Sequence, residues 1–277
     1  MTHDTSSWHE LFIEPATENN LDLLLEMGVA GAELRDSKLR CWIDDQEINL
    51  KLFIKEISLL NLKCISNNKV EQRNWVSACQ ELWEDIIVGD WKIIPISEIN
   101  LTPQLEKNVI PIIPGSGFGT GHHPTTKLML NLMQQFATEA KLAGRILDIG
   151  TGSGILAIAA ARGWGSQVLG VDIDQHAIRN AFSNCQANNL TDEICLIEGT
   201  ADCVKDSFKL IFANLLSEIL LDLVSWLAEH TEKNSLIFLS GILDSEVDMI
   251  LDAYRDNWIL EERLSLESWA ALALRRK

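Results

Sequence analysis

The sequence has no long apolar segment and few basic residues. No apolar run reaches the length of roughly 18 residues that a membrane-spanning helix needs, and the N-terminus lacks a signal-peptide pattern. We therefore expect a cytoplasmic protein that does not enter a membrane. Lys and Arg number 23 against 40 Asp and Glu, which gives a formal net charge of −17. Direct binding to nucleic acid, which needs a basic surface, is not expected.

Metal-binding patterns are missing as well. The six cysteines lie at positions 41, 64, 79, 185, 195 and 203, none of them in a C-x-x-C pair, and no two histidines have zinc spacing. We expect reduced thiols and no metal. The 277 residues are 47% hydrophobic and 23% charged, which indicates a folded protein of about one to two domains.

A glycine-rich stretch is the strongest signal in the chain. Residues 145–149 are typical of a short buried strand, the turn contains Gly150, Gly152 and Gly154, and a helix-forming segment follows. No phosphate-binding Lys follows the turn, which excludes a P-loop. With Asp148 the pattern is D-x-G-x-G-x-G, which resembles the first motif of class I S-adenosylmethionine-dependent methyltransferases. We expect Gly150 and Gly152 to lie against the cofactor.

A second signal is the acid that ends the next strand. Residues 167–172 predict a strand whose last residue is Asp172, and a carboxylate there can accept two hydrogen bonds from ribose hydroxyls. The alternative role for Asp172 is to cap the helix that begins at Gln175. Asp174 fits that capping role better, which leaves Asp172 for the ribose.

The chain divides into three regions. Residues 8–67 have the order β-α-β-β-α-β, which is typical of a ferredoxin-like unit, and we assign a domain to residues 1–68. This domain is a candidate substrate-recognition module, with a purely structural role nearly as well supported. Residues 69–108 are a linker region that includes a helix with Trp75 and Trp83. Residues 109–277 form the cofactor-binding domain.

A glycine-rich loop precedes the cofactor turn. Residues 114–126 contain two prolines and alternating glycines, so they predict a loop that could act as a binding lid, with a plain connector as the alternative. We expect Thr125 or Thr126 to lie near the N-terminal cap of the helix that continues from Lys127.

Strands and helices alternate from residue 145 onward, which predicts a parallel sheet with helices on both faces. A helix is expected over 217–229, and Gly241 is expected to end the strand that begins at Ser235. Gly150, Asp172 and Asn214 each follow or end a strand, so all three should lie at the edge of the sheet where ligands bind.

Taken together, these motifs resemble the bacterial ribosomal protein L11 methyltransferases. The resemblance covers almost the whole chain, and the loop with His123-Pro-Thr-Thr126 is its most family-specific part. The matching segments are residues 117–126, 148–156, 171–174, 213–216 and 239–243, and the closing 269–272.

The resemblance implies an α/β fold: a class I methyltransferase domain with a Rossmann-like, seven-stranded, mostly parallel sheet, preceded by the small ferredoxin-like domain. It implies S-adenosylmethionine as cofactor, contacted by Thr126, Gly150, Asp172 and Asn214. It also implies transfer of methyl groups to lysine side chains and the N-terminal amine of the large-subunit ribosomal protein L11. Asn214 is our candidate catalytic residue, since its amide can hydrogen-bond the incoming nitrogen.

Three positions depart from the family pattern. Ile113 stands where the family usually has Asp, His122 where it has Thr, and Leu215 where it usually has Ile. His122 and His123 are possible proton acceptors, although a role in loop structure is favoured for both.

Two other functions remain open from the sequence. One is a class I methyltransferase that acts on RNA or a small molecule; the absence of a Pro-Pro pair after Asn214 and the acidic charge count against it. The other is a binding module that keeps the fold without turnover, against which the intact glycine turn and Asp172 argue.

Overall fold

The computed structural model describes residues 7–17, 20, 21, 23, 24, 27, 29, 31–35, 38–44, 48–71, 85–96, 106–114, 121–140 and 144–277. The chain forms two compact units, Met1–Trp83 and Glu84–Lys277. The helix predicted around Trp75 and Trp83 lies outside the described residues, as does most of the glycine-rich loop.

The first unit contains a four-stranded antiparallel sheet in the order β2-β3-β1-β4. Its strands are β1 (Ser7–Glu14), β2 (Gly31–Arg35), β3 (Lys38–Asp44) and β4 (Lys63–Glu71). Helix α1 (Leu50–Leu59) precedes β4 and begins at Asn49, whose side chain accepts a hydrogen bond from the N–H of Leu52. Residues 20, 21, 23 and 24 are helical too, between β1 and β2.

This strand order is that of a ferredoxin-like unit, as predicted. Alternate residues of β1 and β3 point to one face and form the core with α1, because side chains of a strand alternate between its faces. The buried residues of this core are Leu11, Ile13, Leu39, Cys41, Ile43, Phe53 and Ile57.

The second unit begins with a small sheet. Strands β5 (Ile86–Val88) and β6 (Trp91–Pro95) are antiparallel, and β6 pairs in parallel with β7 (Val109–Ile112). Strands β5 and β6 lie within residues 69–108, which the sequence predicts to be a linker region. Their buried apolar residues pack into the core of the second unit, so this unit extends further towards the N-terminus than residue 109.

The main sheet has seven strands in the order β10-β9-β8-β11-β12-β14-β13. All neighbours pair in parallel except that β14 is antiparallel to β12 and β13, which confirms the predicted mostly parallel sheet. The strands are β8 (Arg145–Ile149), β9 (Gln167–Asp172), β10 (Ile194–Glu198), β11 (Phe208–Asn214), β12 (Thr231–Leu243), β13 (Trp258–Leu266) and β14 (Trp269–Arg276).

Helices cover both faces of this sheet. They are α2 (Pro124–Gln135), α3 (Ala137–Ala140), α4 (Ile155–Trp164), α5 (Gln175–Ala187), α6 (Ser217–Asp222), α7 (Val224–Glu229) and α8 (Val247–Tyr254). The helix predicted over 217–229 is interrupted at Leu223, between α6 and α7. No helix within the described ranges is long and apolar enough to cross a membrane.

Neighbouring residues of the central strands enter different cores. Ile146 and Phe212 belong to the cluster on one face, while Leu147 and Ile211 belong to the cluster on the other. Burial on both faces explains why these strands are apolar throughout rather than alternating.

The strand order reverses beside β8. The chain moves from β8 to β9 and β10 on one side, then returns to place β11 on the other side of β8. The carboxyl ends of β9, β8 and β11 therefore surround a crevice, which is where ligands bind in sheets of this kind.

Candidate functional site

One cavity of about 660 Å³ opens at this crevice. Its volume is within the range of small-molecule sites. The residues that the sequence predicted as site residues all line it: Thr126, Gly150, Gly152, Asp172 and Asn214. The structure thus brings together residues from α2, the glycine turn, β9 and β11.

The glycine turn forms the floor of the cavity. Gly150, Gly152 and Gly154 have φ values of +70°, +55° and +80°, in the left-handed region that disfavours other residues. The N–H groups of Gly150 and Thr151 both donate to the carbonyl of Val171, at 2.8 and 3.1 Å. These bonds join the turn to β9 and fix its position beside Asp172.

Asp172 has two roles. Its Oδ2 accepts from the Gly152 N–H at 2.9 Å, and its Oδ1 accepts from the Asp174 N–H at 3.0 Å. Asp174 caps α5, as predicted, by accepting from the His176 N–H at 2.8 Å. Besides the ribose contact predicted for it, Asp172 holds the turn to the start of α5. Each carboxylate oxygen has a second lone pair, so both can still accept from a ribose.

Asn214 ends β11 on the other side of the glycine turn. It lies opposite Ser240 of β12, and its Oδ1 is buried without a hydrogen-bond partner. A buried carbonyl oxygen in this state costs free energy unless a ligand supplies a donor. This orphaned atom is therefore consistent with a ligand at this end of the cavity.

Gly241 lets the chain that follows Asn214 approach β12. It has a φ of +84°, and a Cβ placed there would lie 2.2 Å from the Leu215 carbonyl oxygen. The prediction that Gly241 ends its strand was wrong: β12 continues to Leu243, with a register shift between Ser240 and Ile242 where it pairs with β14. The glycine therefore marks a bulge rather than a strand end.

The N-terminus of α2 forms a third wall. His123 is the N-cap, and its Nδ1 accepts from the Thr125 N–H at 3.3 Å. Pro124 occupies the first helical position, where its missing N–H costs nothing, so Thr125 and Thr126 lie in the first turn, near the cap as predicted. Thr126 is fully buried, and its Oγ1 has no hydrogen-bond partner. This hydroxyl is a second orphaned polar atom beside the cavity.

The two neighbouring histidines are partly buried. Burial lowers the pKa of both His122 and His123, and the charge of Lys127 lowers each further, although Glu267 opposes this for His123. The ring of His123 meets that of Trp269 edge to face at 4.9 Å. His123 therefore serves loop and helix structure, as favoured from the sequence, and is neutral near pH 7.

Charge and apolar surface occupy opposite ends of the cavity. Among the described lining residues, the carboxylates are Asp172 and Asp174, both at the β9 end. At the β11 end lie Leu216 and Ile219, whose exposed fractions are 64% and 45%. The site thus combines a polar end with an apolar wall beside Asn214.

Asp148 lies beneath the glycine turn and is fully buried. Burial raises the pKa of Asp148 to about 7, and the charge of Asp172 also raises it. The Thr151 hydroxyl lowers this pKa, because it donates a hydrogen bond to the Asp148 Oδ2 at 2.8 Å. Asp148 does not line the cavity. Its carboxyl instead supports the turn from below, through the hydrogen bond from Thr151.

Sequence reasoning missed several lining residues. The side chains of Leu216, Ile219 and Thr200 do not identify them as site residues. For Leu216 the available signal was its place in the matching segment 213–216. Trp269 belongs to a segment that matched the family pattern, but nothing in that pattern gave it a role. Among the described residues, no group of three or more His, Cys, Asp or Glu side chains could hold a metal ion.

Comparison with known proteins gives a consistent result. Residues 42–277 match the family model described as Ribosomal protein L11 methyltransferase (PrmA). A ribosomal protein L11 methyltransferase from Thermotoga neapolitana is 29% identical over 273 residues, covering 94% of this chain and 94% of that protein. Another, from Dechloromonas aromatica, is 35% identical over 218 residues, or 78% of this chain and 71% of that protein.

A solved structure is similar as well. The crystal structure of a ribosomal protein L11 methylase from Lactobacillus delbrueckii subsp. bulgaricus superposes with a TM-score of 0.63 at 30% identity. The match covers 70% of this chain and all of that chain (100%).

Proposed function

The chain belongs to the ribosomal protein L11 methyltransferase family, and we propose that it transfers methyl groups from S-adenosylmethionine to amino groups of ribosomal protein L11. The acceptors are lysine side chains and the N-terminal amine. The observation that carries the proposal is the cavity lined by the glycine turn, Asp172, Asn214 and Thr126. Two of these residues, Asn214 and Thr126, bring a buried oxygen that lacks a partner.

The cavity suits S-adenosylmethionine in shape and polarity. Asp172 would hold the ribose hydroxyls, and the positive-φ glycines Gly150 and Gly152 let a ligand approach the backbone closely. The Thr126 hydroxyl, fully buried at the start of α2, would hydrogen-bond the part of the cofactor nearest that helix. When bound, S-adenosylmethionine supplies a methyl group activated by a sulfonium.

Asn214 is proposed as the residue that orients the amine. Its Oδ1 can accept a hydrogen bond from an amine N–H, which directs the nitrogen lone pair away from the amide. Orientation is the main contribution that a protein makes to such a transfer, because alignment of the reacting atoms removes much of the entropic barrier.

The apolar wall favours a neutral amine. A lysine amine has a pKa of about 10.4 in water, and its charged form has no lone pair for the reaction. Leu216 and Ile219 would contact the aliphatic stem and exclude water, and the carboxylates of the described lining lie at the opposite end. An ammonium would thus lose its hydration without gaining a charged partner, so its pKa falls and the proton passes to solvent.

The first unit is proposed to bind the ribosomal protein. It is a ferredoxin-like unit whose described residues contain no cluster that could hold a metal ion, which fits a recognition role better than a metal-dependent catalytic one. The net charge of −17 suits a basic protein partner and disfavours RNA as the direct substrate.

A methyl-transfer assay tests the proposal. Purified chain, labelled S-adenosylmethionine and recombinant L11 should give labelled L11, with label on lysines and the N-terminus by mass spectrometry. Asn214→Ala should lower kcat about 100-fold, because a mispositioned nucleophile loses roughly that factor, while cofactor affinity changes much less.

The same assay separates the alternatives. Label in RNA or in a small amine, with none in L11, would replace the proposed substrate. Cofactor binding by calorimetry without transfer to any of these would identify a non-catalytic relative. An Asn214→Ala variant with wild-type kcat would remove the role given to Asn214.

A further inference from the structure

Three asparagines lie one turn apart at helix α5: Asn180 and Asn184 are in the helix, and Asn188 is its C-cap. All three donate side-chain hydrogen bonds to backbone carbonyls outside the helix. Asn180 donates to the Ile113 carbonyl at 3.0 Å, and Asn188 donates to the Pro111 carbonyl at 2.8 Å. The row therefore fastens α5 to β7 and the residues that follow it.

Asn184 differs from its neighbours because it reaches the glycine turn as well. Its Oδ1 accepts from the Ile113 N–H at 2.6 Å. Its Nδ2 donates to the Ser153 carbonyl at 2.8 Å and, at 3.4 Å, to the Ile113 carbonyl. One side chain thus joins residue 113, where the chain leaves β7, to the turn beneath the cavity.

The surroundings hold Asn184 tightly. It is 0% exposed, so its hydrogen bonds are not exchanged with water. One turn earlier, Ala181 packs against Gly154 so closely that a Cβ on that glycine would lie 3.2 Å from the alanine methyl. Helix α5 and the turn therefore have little freedom to separate.

We infer that Asn184 is a positioning residue for the cofactor site, an inference that rests on the function proposed above. The turn has positive φ at Gly150, Gly152 and Gly154, and glycine restricts backbone conformation least of all residues. Asp172 fixes the turn from the cavity side through the Gly152 N–H. Asn184 fixes it from the opposite side through the Ser153 carbonyl, without lining the cavity itself.

The same contacts explain why Ile113 is acceptable where the family usually has an acid. Asn180 and Asn184 bind residue 113 through its backbone N–H and carbonyl. The side chain at 113 is not used in these bonds, so its identity leaves the connection intact.

Asn188 offers a matched control on the same helix. It is 3% exposed and donates to the Pro111 and Asn184 carbonyls, but it has no bond to the glycine turn. Asn184→Leu and Asn188→Leu each remove a buried amide of the same kind. A purely structural role predicts the same effects for both, whereas a positioning role separates them.

The test compares three readouts in the full chain. Urea unfolding should show both variants to be destabilised. Calorimetry should show the Kd for S-adenosylmethionine raised about five- to tenfold by Asn184→Leu, the effect of one lost buried hydrogen bond, and changed less than about twofold by Asn188→Leu. Steady-state kinetics with Asn184→Leu should show KM for the cofactor raised to match, with kcat nearly unchanged.

Each outcome decides a different point. Equal affinities for the two variants, or wild-type affinity for Asn184→Leu, would overturn the inference. Asn184→Ala, measured in parallel, gives the same comparison should the leucine variant fail to fold. Wild-type chain that binds no S-adenosylmethionine would instead contradict the proposed function.

Discussion

Substitution of Gly241 by alanine should impair both the reaction and folding. Gly241 lies in β12 beside Leu215, the residue that follows Asn214. Its φ is +84°, and an added Cβ would lie 2.2 Å from the carbonyl oxygen and 2.7 Å from the carbonyl carbon of Leu215. The obstructing atoms are backbone, so a side-chain rotation cannot relieve the overlap.

The geometry sets the size of the effect. A normal carbon–oxygen contact is about 3.3 Å, so the backbone at Leu215 must move by roughly 1 Å. A shift of that size in a group that orients a reactant costs about 100-fold in kcat. Stability should fall by about 2–5 kcal/mol, the sum of left-handed backbone strain and overpacking.

Gly165→Ala separates strain from displacement. Gly165 follows α4 with a φ of +69°, and a Cβ there would have nothing within 4 Å. This variant should lose about 1–2 kcal/mol from backbone strain. Its kcat should remain within about twofold of wild type, since no atom near Asn214 is displaced.

Methyl-transfer kinetics and urea unfolding on the wild type and both variants provide the assay. We expect a low kcat for Gly241→Ala and a nearly normal kcat for Gly165→Ala, with cofactor affinity retained in both. A wild-type kcat in Gly241→Ala would show that Leu215 and Asn214 need not stay where the structure places them. An equal kcat loss in both variants would attribute the effect to instability.

Two further predictions concern carboxylates. Asp172→Ala removes the acceptor of the Gly152 and Asp174 N–H groups as well as the ribose contact. Cofactor affinity should fall about 100-fold and stability by about 2 kcal/mol. Calorimetry that finds unchanged affinity would refute the ribose assignment. Asp148→Asn should gain stability relative to wild type as pH rises. The pKa of Asp148 is raised by burial from 3.8 to about 7, so the folded state holds a proton that the unfolded state releases over this interval. The advantage of Asp148→Asn should therefore be absent below pH 3.8, grow up to about pH 7 and then level off. Urea unfolding across that range checks it, and a difference independent of pH would contradict the buried-acid account.

Local patterns were enough to predict most of the fold. The β-α-β-β-α-β order and the alternation of strands and helices after residue 145 are consequences of hydrophobic periodicity and glycine or cap positions, which the sequence carries directly. The failure at Gly241 came where a tertiary contact prevailed over a local preference. Strand β12 continues through this glycine because β11 and β14 flank it on both sides.

The sequence predicted five residues that line the cavity, but not how these residues are held in place. Gly150, Asp172 and Asn214 could be placed at one sheet edge from topology alone, because carboxyl ends of parallel strands share an edge. The second role of Asp172, as acceptor for the turn, depends on where Gly152 points after folding. The spacing of residues in the sequence does not predict the direction of the Gly152 N–H.

The sequence by itself determined the architecture, the family and the residues that surround the cofactor turn. These are set by side-chain type and order, which are local or repeat along the chain. Only the tertiary structure decided which polar atoms of the cavity-lining residues are buried without partners, among them Thr126 Oγ1 and Asn214 Oδ1, and which groups hold the turn in place. Asn184 shows the reason: it joins residue 113 to residue 153, positions far apart in sequence that meet only when α5 packs between them.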